Sequence, residues 1–227
     1  MYLDYNVIRN AIPQEWRQPR HEQNQQYTIS LCDLPSEHLN SRCIRNLILT
    51  KRYSVPCSAN FWANKYPGLE LTDEYWMVAR NCTSEIRLIT LQWKILHNIY
   101  PTSILLHKMG KKNTNKCDYC ETVDYVEHFF YTCHVSKKLW QYIETKLTSS
   151  LNNIIHLTET NVMFGLAESN FSAKTHNFVN HIIVIGKLCI SKFKHWQYHD
   201  LISLFKYELK LRKKEVEKFG RDIGDMI

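Results

Sequence analysis

Several large classes of protein are excluded by what this 227-residue chain lacks. No uninterrupted apolar run approaches the roughly 20 residues that a bilayer-spanning helix needs, so an integral membrane protein is not expected. Only six glycines and six prolines exclude a collagen-like or linker composition. There is no Asp-Asp dipeptide, and with it goes the clustered-carboxylate, metal-dependent phosphoryl chemistry of a polymerase or nuclease. The start, MYLDYNVIRNAIPQEW, lacks the basic residues followed by an apolar stretch that a secretory signal shows. The expected location is therefore intracellular, nucleus or cytoplasm, with the eight cysteines reduced rather than paired. The sequons at Asn81 and Asn170 carry no weight in such a compartment.

What is present suffices for a folded core: 44% of the residues are hydrophobic and 12% aromatic. A formal charge of +7 suits a polyanionic partner without requiring one.

Three regions follow from composition and periodicity. Residues 1–40 are polar and irregular, interrupted by Pro13, Pro19 and Pro35, with a short strand conceivable only at YTISL. Residues 41–150 form a helical region, entered by a helix from Glu37 to Arg52 and an irregular segment, Val55 to Leu71, pinned by Phe61 and Trp62. Thr72 and Asp73 can cap a helix through Tyr75, Trp76 and Ala79. A second helix from Thr83 or Ser84 places Ile86, Ile89, Trp93, Leu96 and Tyr100 on one stripe and should stop at Ile99 or Tyr100, ahead of Pro101. SILLHKMG reads as a helical turn closed at Gly110, KKNTNK as a basic loop, and Val135 to Leu147 as a helix before a loop at Thr148 to Asn153. Residues 151–227 hold C-terminal helices with a basic end, at about Ala173 to Trp196 and Leu201 to Phe219. The fold class is mainly α, an irregular helical domain around a small CCHC knuckle.

That knuckle is KCDYCETVDYVEHFFYTCH, in which Cys117, Cys120, His128 and Cys133 make C-x2-C-x7-H-x4-C. Two thiolates two residues apart can turn back onto one ion, and an imidazole with a third thiolate can close a tetrahedron around it. Three sulfurs and one nitrogen select a structural Zn2+, with no position open to water. A redox disulfide between Cys117 and Cys120, chance core cysteines, or His134 in place of His128 are the alternatives. The loop contains Asp118, Glu121, Asp124 and Glu127 and little apolar matter, so the metal would replace a core. Val126, Phe129 and Phe130 would fold it onto Leu139 and Trp140. Trp93 and Trp140 read as packing anchors.

The run from Cys82 to Ile143 resembles the zinc-binding region C-terminal to the reverse transcriptase of non-LTR (LINE-type) retrotransposons. The resemblance is carried by Gln92, Lys94 to His97, Pro101-Thr102, Leu105 to Gly110, Cys117, Cys120, His128, Cys133 and Trp140. It is specific over residues 83–140 and looser over 44–200, where IPQEW, NFW, DEYW and NVMFGL give weaker flanking agreement, IPQEW lying upstream of that range. It implies a non-catalytic module that contacts RNA or DNA during target-primed reverse transcription, working beside other parts of a reverse transcriptase. Neither polymerase nor endonuclease fits in the N-terminal 80 residues, so a fragment of an enzyme is expected rather than an enzyme.

The candidate nucleic-acid-binding residues are Lys108, Lys111, Lys112 and Lys116 before the knuckle and Lys137 and Lys138 after it, with a second basic cluster at Lys206, Lys210, Arg212, Lys213, Lys214, Lys218 and Arg221. Tyr119, Tyr125 and Tyr131 could stack on unpaired bases, although two of the three are expected to pack inward. Against this stand the knuckle's four carboxylates, and Glu208, Glu215 and Glu217 in the C-terminal cluster, which can pair along the helix. The alternative function is a zinc-stapled helical scaffold for protein contacts. His195 and His199 lack a third metal ligand, Cys189 reads as core, and Cys32, Cys43, Cys57 and Cys82 have no ligand spacing.

Overall fold

The computed structural model describes residues 57–69, 72–166, 171–196 and 199–219. The expected N-terminal segment 1–40, the strand at YTISL, the helix at Glu37 to Arg52, and Cys32, Cys43 and Arg221 lie outside the described residues. The described elements are all helical: α1 (Cys57–Lys65), α2 (Asp73–Cys82), α3 (Ile86–Leu96), α4 (Ser103–Lys108), a π-helical turn (His128–Thr132), α5 (His134–Leu151), α6 (Glu159–Phe164), α7 (Ala173–Trp196), α8 (Leu201–Leu211) and α9 (Lys213–Glu217). Among them no helix is long and apolar enough to cross a membrane.

α7 is the axis of this unit. Every residue from Phe178 to Ile190 is buried, so this part of the helix is surrounded on all sides, and its polar Asn180 and Lys187 bond internally. It packs against α2, α3, α5, α8 and the π turn. Close approach requires Gly186, where a Cβ would come within 2.8 Å of the Trp140 ring.

Polar side chains also tie the layers together, at separations no local pattern predicts. Gln92 Nε2 donates to the Met163 carbonyl at 3.0 Å, and Lys187 Nζ donates to Gln92 Oε1 at 2.5 Å and to the Met163 carbonyl at 3.2 Å. Lys187 is fully buried, and burial lowers its pKa from 10.5 to about 7. Asn180 closes both the amide and the carbonyl of Leu166, after Gly165 turns the chain with φ +91° against Val78.

Five sequence expectations are corrected. Cys57–Lys65 is helical where an irregular segment was expected; Trp62 is its buried anchor and donates to the Leu96 carbonyl at 2.7 Å, while Phe61 is exposed. α3 ends at Leu96 rather than at Ile99 or Tyr100, because Asn98 adopts the left-handed conformation (φ 53°). Its amide and that of Ile99 return to the carbonyls of Ile95 and Lys94, the two bonds of a Schellman cap. The buried face of α3 is Leu88, Leu91, Gln92, Ile95 and Leu96, whereas Ile86 is 73% and Trp93 48% exposed. Trp93 is thus not a core anchor; Trp140, at 2%, is. Finally, α5 continues through the expected loop to Leu151, stopped by Asn152 at φ 48°, and the last helix breaks at Arg212.

Candidate metal centre

Cys117, Cys120, His128 and Cys133 come together, with one ligand atom from each lying within 4.8 Å of all the others. Cys117 and Cys120 occupy a tight turn. The Cys117 amide donates to the Thr122 carbonyl at 2.8 Å and the Glu121 amide to the Cys117 carbonyl at 3.0 Å, with Glu121 left-handed at φ 57°. A bridge between Lys116 and Val123 closes its base.

The other two donors depend on the π turn. In an α-helix, residues five apart point roughly 140° away from each other. Here the Cys133 amide donates to the His128 carbonyl at 3.1 Å, the i→i+5 bond of a π turn, and Cys133 leaves in an extended conformation as the first residue before α5. This widened turn lets an H-x4-C spacing converge. Side chains serve the carbonyls of the turn: Ser136 Oγ and Lys194 Nζ donate to Phe129 O at 2.8 and 2.7 Å, and Trp140 Nε1 donates to Phe130 O at 2.6 Å.

The donor geometry fits zinc. A tetrahedron with zinc–sulfur bonds of about 2.3 Å has sulfur–sulfur edges of roughly 3.8 Å. Cys117 Sγ and Cys133 Sγ are 3.9 Å apart, and Cys120 Sγ and His128 Nε2 are 3.1 Å apart. His128 Nδ1 lies 3.1 Å from Thr132 Oγ1, a partner that orients the ring with Nε2 toward the thiols. Cys133 is held well below the usual thiol range by the hydrogen bond from Cys117, then by His128 and the charge of Lys194; the same shared proton and burial push Cys117 up. A paired, electrostatically favoured thiolate suits metal ligation. Cys82, Cys117, Cys120, Cys133 and Cys189 are all free. His134 is exposed and outside the cluster.

Two of the knuckle's four carboxylates are structural rather than exposed. Asp124 is buried and accepts from the Ser103 amide at 3.0 Å and hydroxyl at 2.8 Å, fastening the knuckle to α4. Glu127 is buried and ion-paired with Lys65 of α1. Val126, Phe129 and Phe130 are buried with Leu139 and Trp140, as the sequence predicts.

The candidate nucleic-acid lysines divide. Lys108, Lys111, Lys116, Lys137 and Lys138 are exposed. Lys112 is half-buried, with Nζ 2.8 Å from both Asp118 oxygens and from Ser103 Oγ, so it braces the loop instead of facing a ligand. Tyr119 packs toward Phe193 and Tyr131 is half-buried, which leaves Tyr125 exposed. In the C-terminal cluster Arg212 is buried, bonding Glu85 at 2.8 and 2.9 Å and Glu208 at 2.5 Å, while Lys213 pairs with Glu217. Arg212 is thus a joint between α3 and α8. His195 Nε2 lies 3.0 Å from Tyr100 Oη, with no metal cluster at it among the described residues. Cys189 is buried and its thiol is pushed up by burial, which makes it core rather than nucleophile.

Sequence reasoning missed Lys194, Asp124 and Thr132 as supports of the centre. Lys194 and Asp124 act on partners 65 and 21 residues away in the chain, beyond any local pattern. Thr132 stands four residues after His128, a one-turn spacing that could have shown it.

No curated protein and no solved structure matches the chain. Residues 46–140 match the family described as zinc-binding in reverse transcriptase, an accessory region whose cofactor is a structural zinc ion and the one that the motifs of this sequence resemble.

Proposed function

We propose that the chain is a zinc-stapled, non-catalytic module of a non-LTR (LINE-type) retrotransposon reverse transcriptase polyprotein, contacting RNA or DNA during target-primed reverse transcription. One observation carries the reading: the convergent Cys117, Cys120, His128 and Cys133 lie inside the stretch 46–140 that matches the reverse-transcriptase zinc-binding family. Bound to these four residues, zinc supplies structural cross-linking, since four protein donors fill a tetrahedron. The chain's own residues do the rest. Thr132 orients His128, Asp124 fastens the knuckle to α4, and Trp140 receives the Phe129-Phe130 step. A net charge of +7 favours a polyanion.

The test is a salt titration of the zinc-loaded chain with labelled single-stranded RNA and DNA. Log affinity should fall linearly with log salt concentration. Absence of binding at low salt refutes the nucleic-acid reading. It would leave the second reading, a zinc-stapled helical scaffold for protein contacts.

A further inference from the structure

A groove of about 720 Å³ runs between α3 and α7, and nothing in the zinc centre uses it. Its α3 wall carries Arg87, Thr90 and Lys94, and its α7 wall carries Ser191, Lys192 and His195. On each wall these residues recur at helical spacing, and Arg87 and Lys94 stand seven residues apart, about 10.5 Å of helix rise. Arg87, Thr90 and Lys94 are exposed. Neither Arg87 nor Lys94 has an ion pair among the described residues, and no carboxylate lines the groove there. Lys192 is partly neutralised by Glu208 at 2.6 Å. Tyr100 Oη donates to Ser191 Oγ at 2.6 Å, which leaves the serine hydrogen for a ligand oxygen.

Trp93 lies outside the groove, on the adjoining part of the exposed face of α3 beyond Thr90, which borders both the groove and the hollow that Trp93 shares with Trp76. It keeps 48% of its surface exposed and meets His97 in a tilted contact with ring centroids 4.4 Å apart, and His97 in turn meets Trp76 at 5.1 Å. An exposed ring supported from behind, beside unpaired cations, is the pairing that single-strand binders use: bases stack while phosphates meet Lys and Arg. The exposed lysines about the knuckle also lack ion pairs among the described residues, but Lys112 is spent on Asp118, and the exposed carboxylates of Asp118 and Glu121 stand near them.

We infer that single-stranded nucleic acid is held across the exposed face of α3 and the α3–α7 groove beside it rather than by the knuckle lysines, its phosphates against Arg87 and Lys94 in the groove and its bases against Trp93 on the adjoining face. This rests on the nucleic-acid reading above and assigns it a different surface. A groove of this volume takes nucleotide-sized units.

The experiment compares full-length, zinc-loaded chains binding a fluorescein-labelled polyuridine oligonucleotide across a salt series. Arg87→Gln with Lys94→Gln should weaken binding at least about tenfold and make the slope of log affinity against log salt shallower by about 1.4, roughly 0.7 for each lost phosphate contact. Trp93→Ala should weaken binding about tenfold with the slope unchanged, because stacking releases no counterions. Lys137→Gln with Lys138→Gln should bind as the parent does. All the substituted side chains are exposed, and Lys94→Gln alone, with half the slope change, guards against a folding defect in the double variant. If the parent binds and the groove variants bind equally well, or only the Lys137/Lys138 variant loses affinity, the groove assignment is overturned while the nucleic-acid reading stands. If the parent itself does not bind at low salt, both fail.

Discussion

The knuckle and the α7 core are held together by different physics. Between Asn115 and Glu127 the buried side chains are only Cys117, Asp124, Val126 and Glu127, and four donor atoms within 4.8 Å of one another take the place of a core. Around α7 the reverse holds, with Phe178 to Ile190 buried without a break and donors such as Gln92 and Lys187 spent on internal hydrogen bonds. The first region depends on a few irreplaceable residues. The second distributes its stability over many contacts, any one of which is worth a few kcal/mol at most. The π turn is where they meet, since Phe129 and Phe130 follow His128 directly and pack against Trp140.

The sharpest way to break this comparison is to remove the metal. Cys133→Ala, or a strong chelator, should cost on the order of 10 kcal/mol of apparent folding free energy at the knuckle. Amide hydrogen exchange should then show protection lost over residues 115–133 and kept across Ile182 to Cys189. Uniform loss in both regions would mean that the two are one cooperative unit. Next in size is Trp140→Ala, which empties the site filled against Gly186 and removes the donor to Phe130 O. It should lower stability by about 3–5 kcal/mol in denaturant titration, with zinc still bound by elemental analysis.

Lys187 sharpens the contrast by pH. Its pKa is depressed from 10.5 to about 7 in the folded chain, so the unfolded chain binds the extra proton between those values. Stability from this group is therefore fully present above pH 10.5 and lost as pH falls through about 7. Lys187→Met should flatten the stability-against-pH curve in that window by up to about 1.4 kcal/mol per pH unit. An unchanged slope would show that the lysine is charged in place. The smallest effect belongs to the surface: Lys213→Ala removes an exposed ion pair with Glu217 and should change stability by no more than about 0.5 kcal/mol.

The two regions were unequally legible. The ligand spacing, the landing of Phe129 and Phe130 on Trp140, the closure at Gly110 and the helical nature of Ala173 to Trp196 all follow from local pattern. The stripe expected on α3 holds only at Leu96 and Tyr100, which are buried, because periodicity identifies an apolar face without saying whether anything covers it. Ile86 and Trp93 share such a face and stay exposed, while Leu88, Leu91 and Ile95 meet the core. The basic clusters were legible only in part, for a related reason. A charge in a sequence has no partner until the fold supplies one, and Lys112 and Arg212 turned out to be spent on Asp118 and on Glu85 with Glu208.

What the amino-acid order determined alone was donor chemistry, because a C-x2-C turn and an H-x4-C step bring their atoms together through bonds a few residues long. The fully buried lysine, the carboxylates that became struts and the cationic groove between α3 and α7 were decided only by tertiary structure. Each joins residues tens of positions apart, and a solvation state is a property of the assembled neighbourhood, not of the residue.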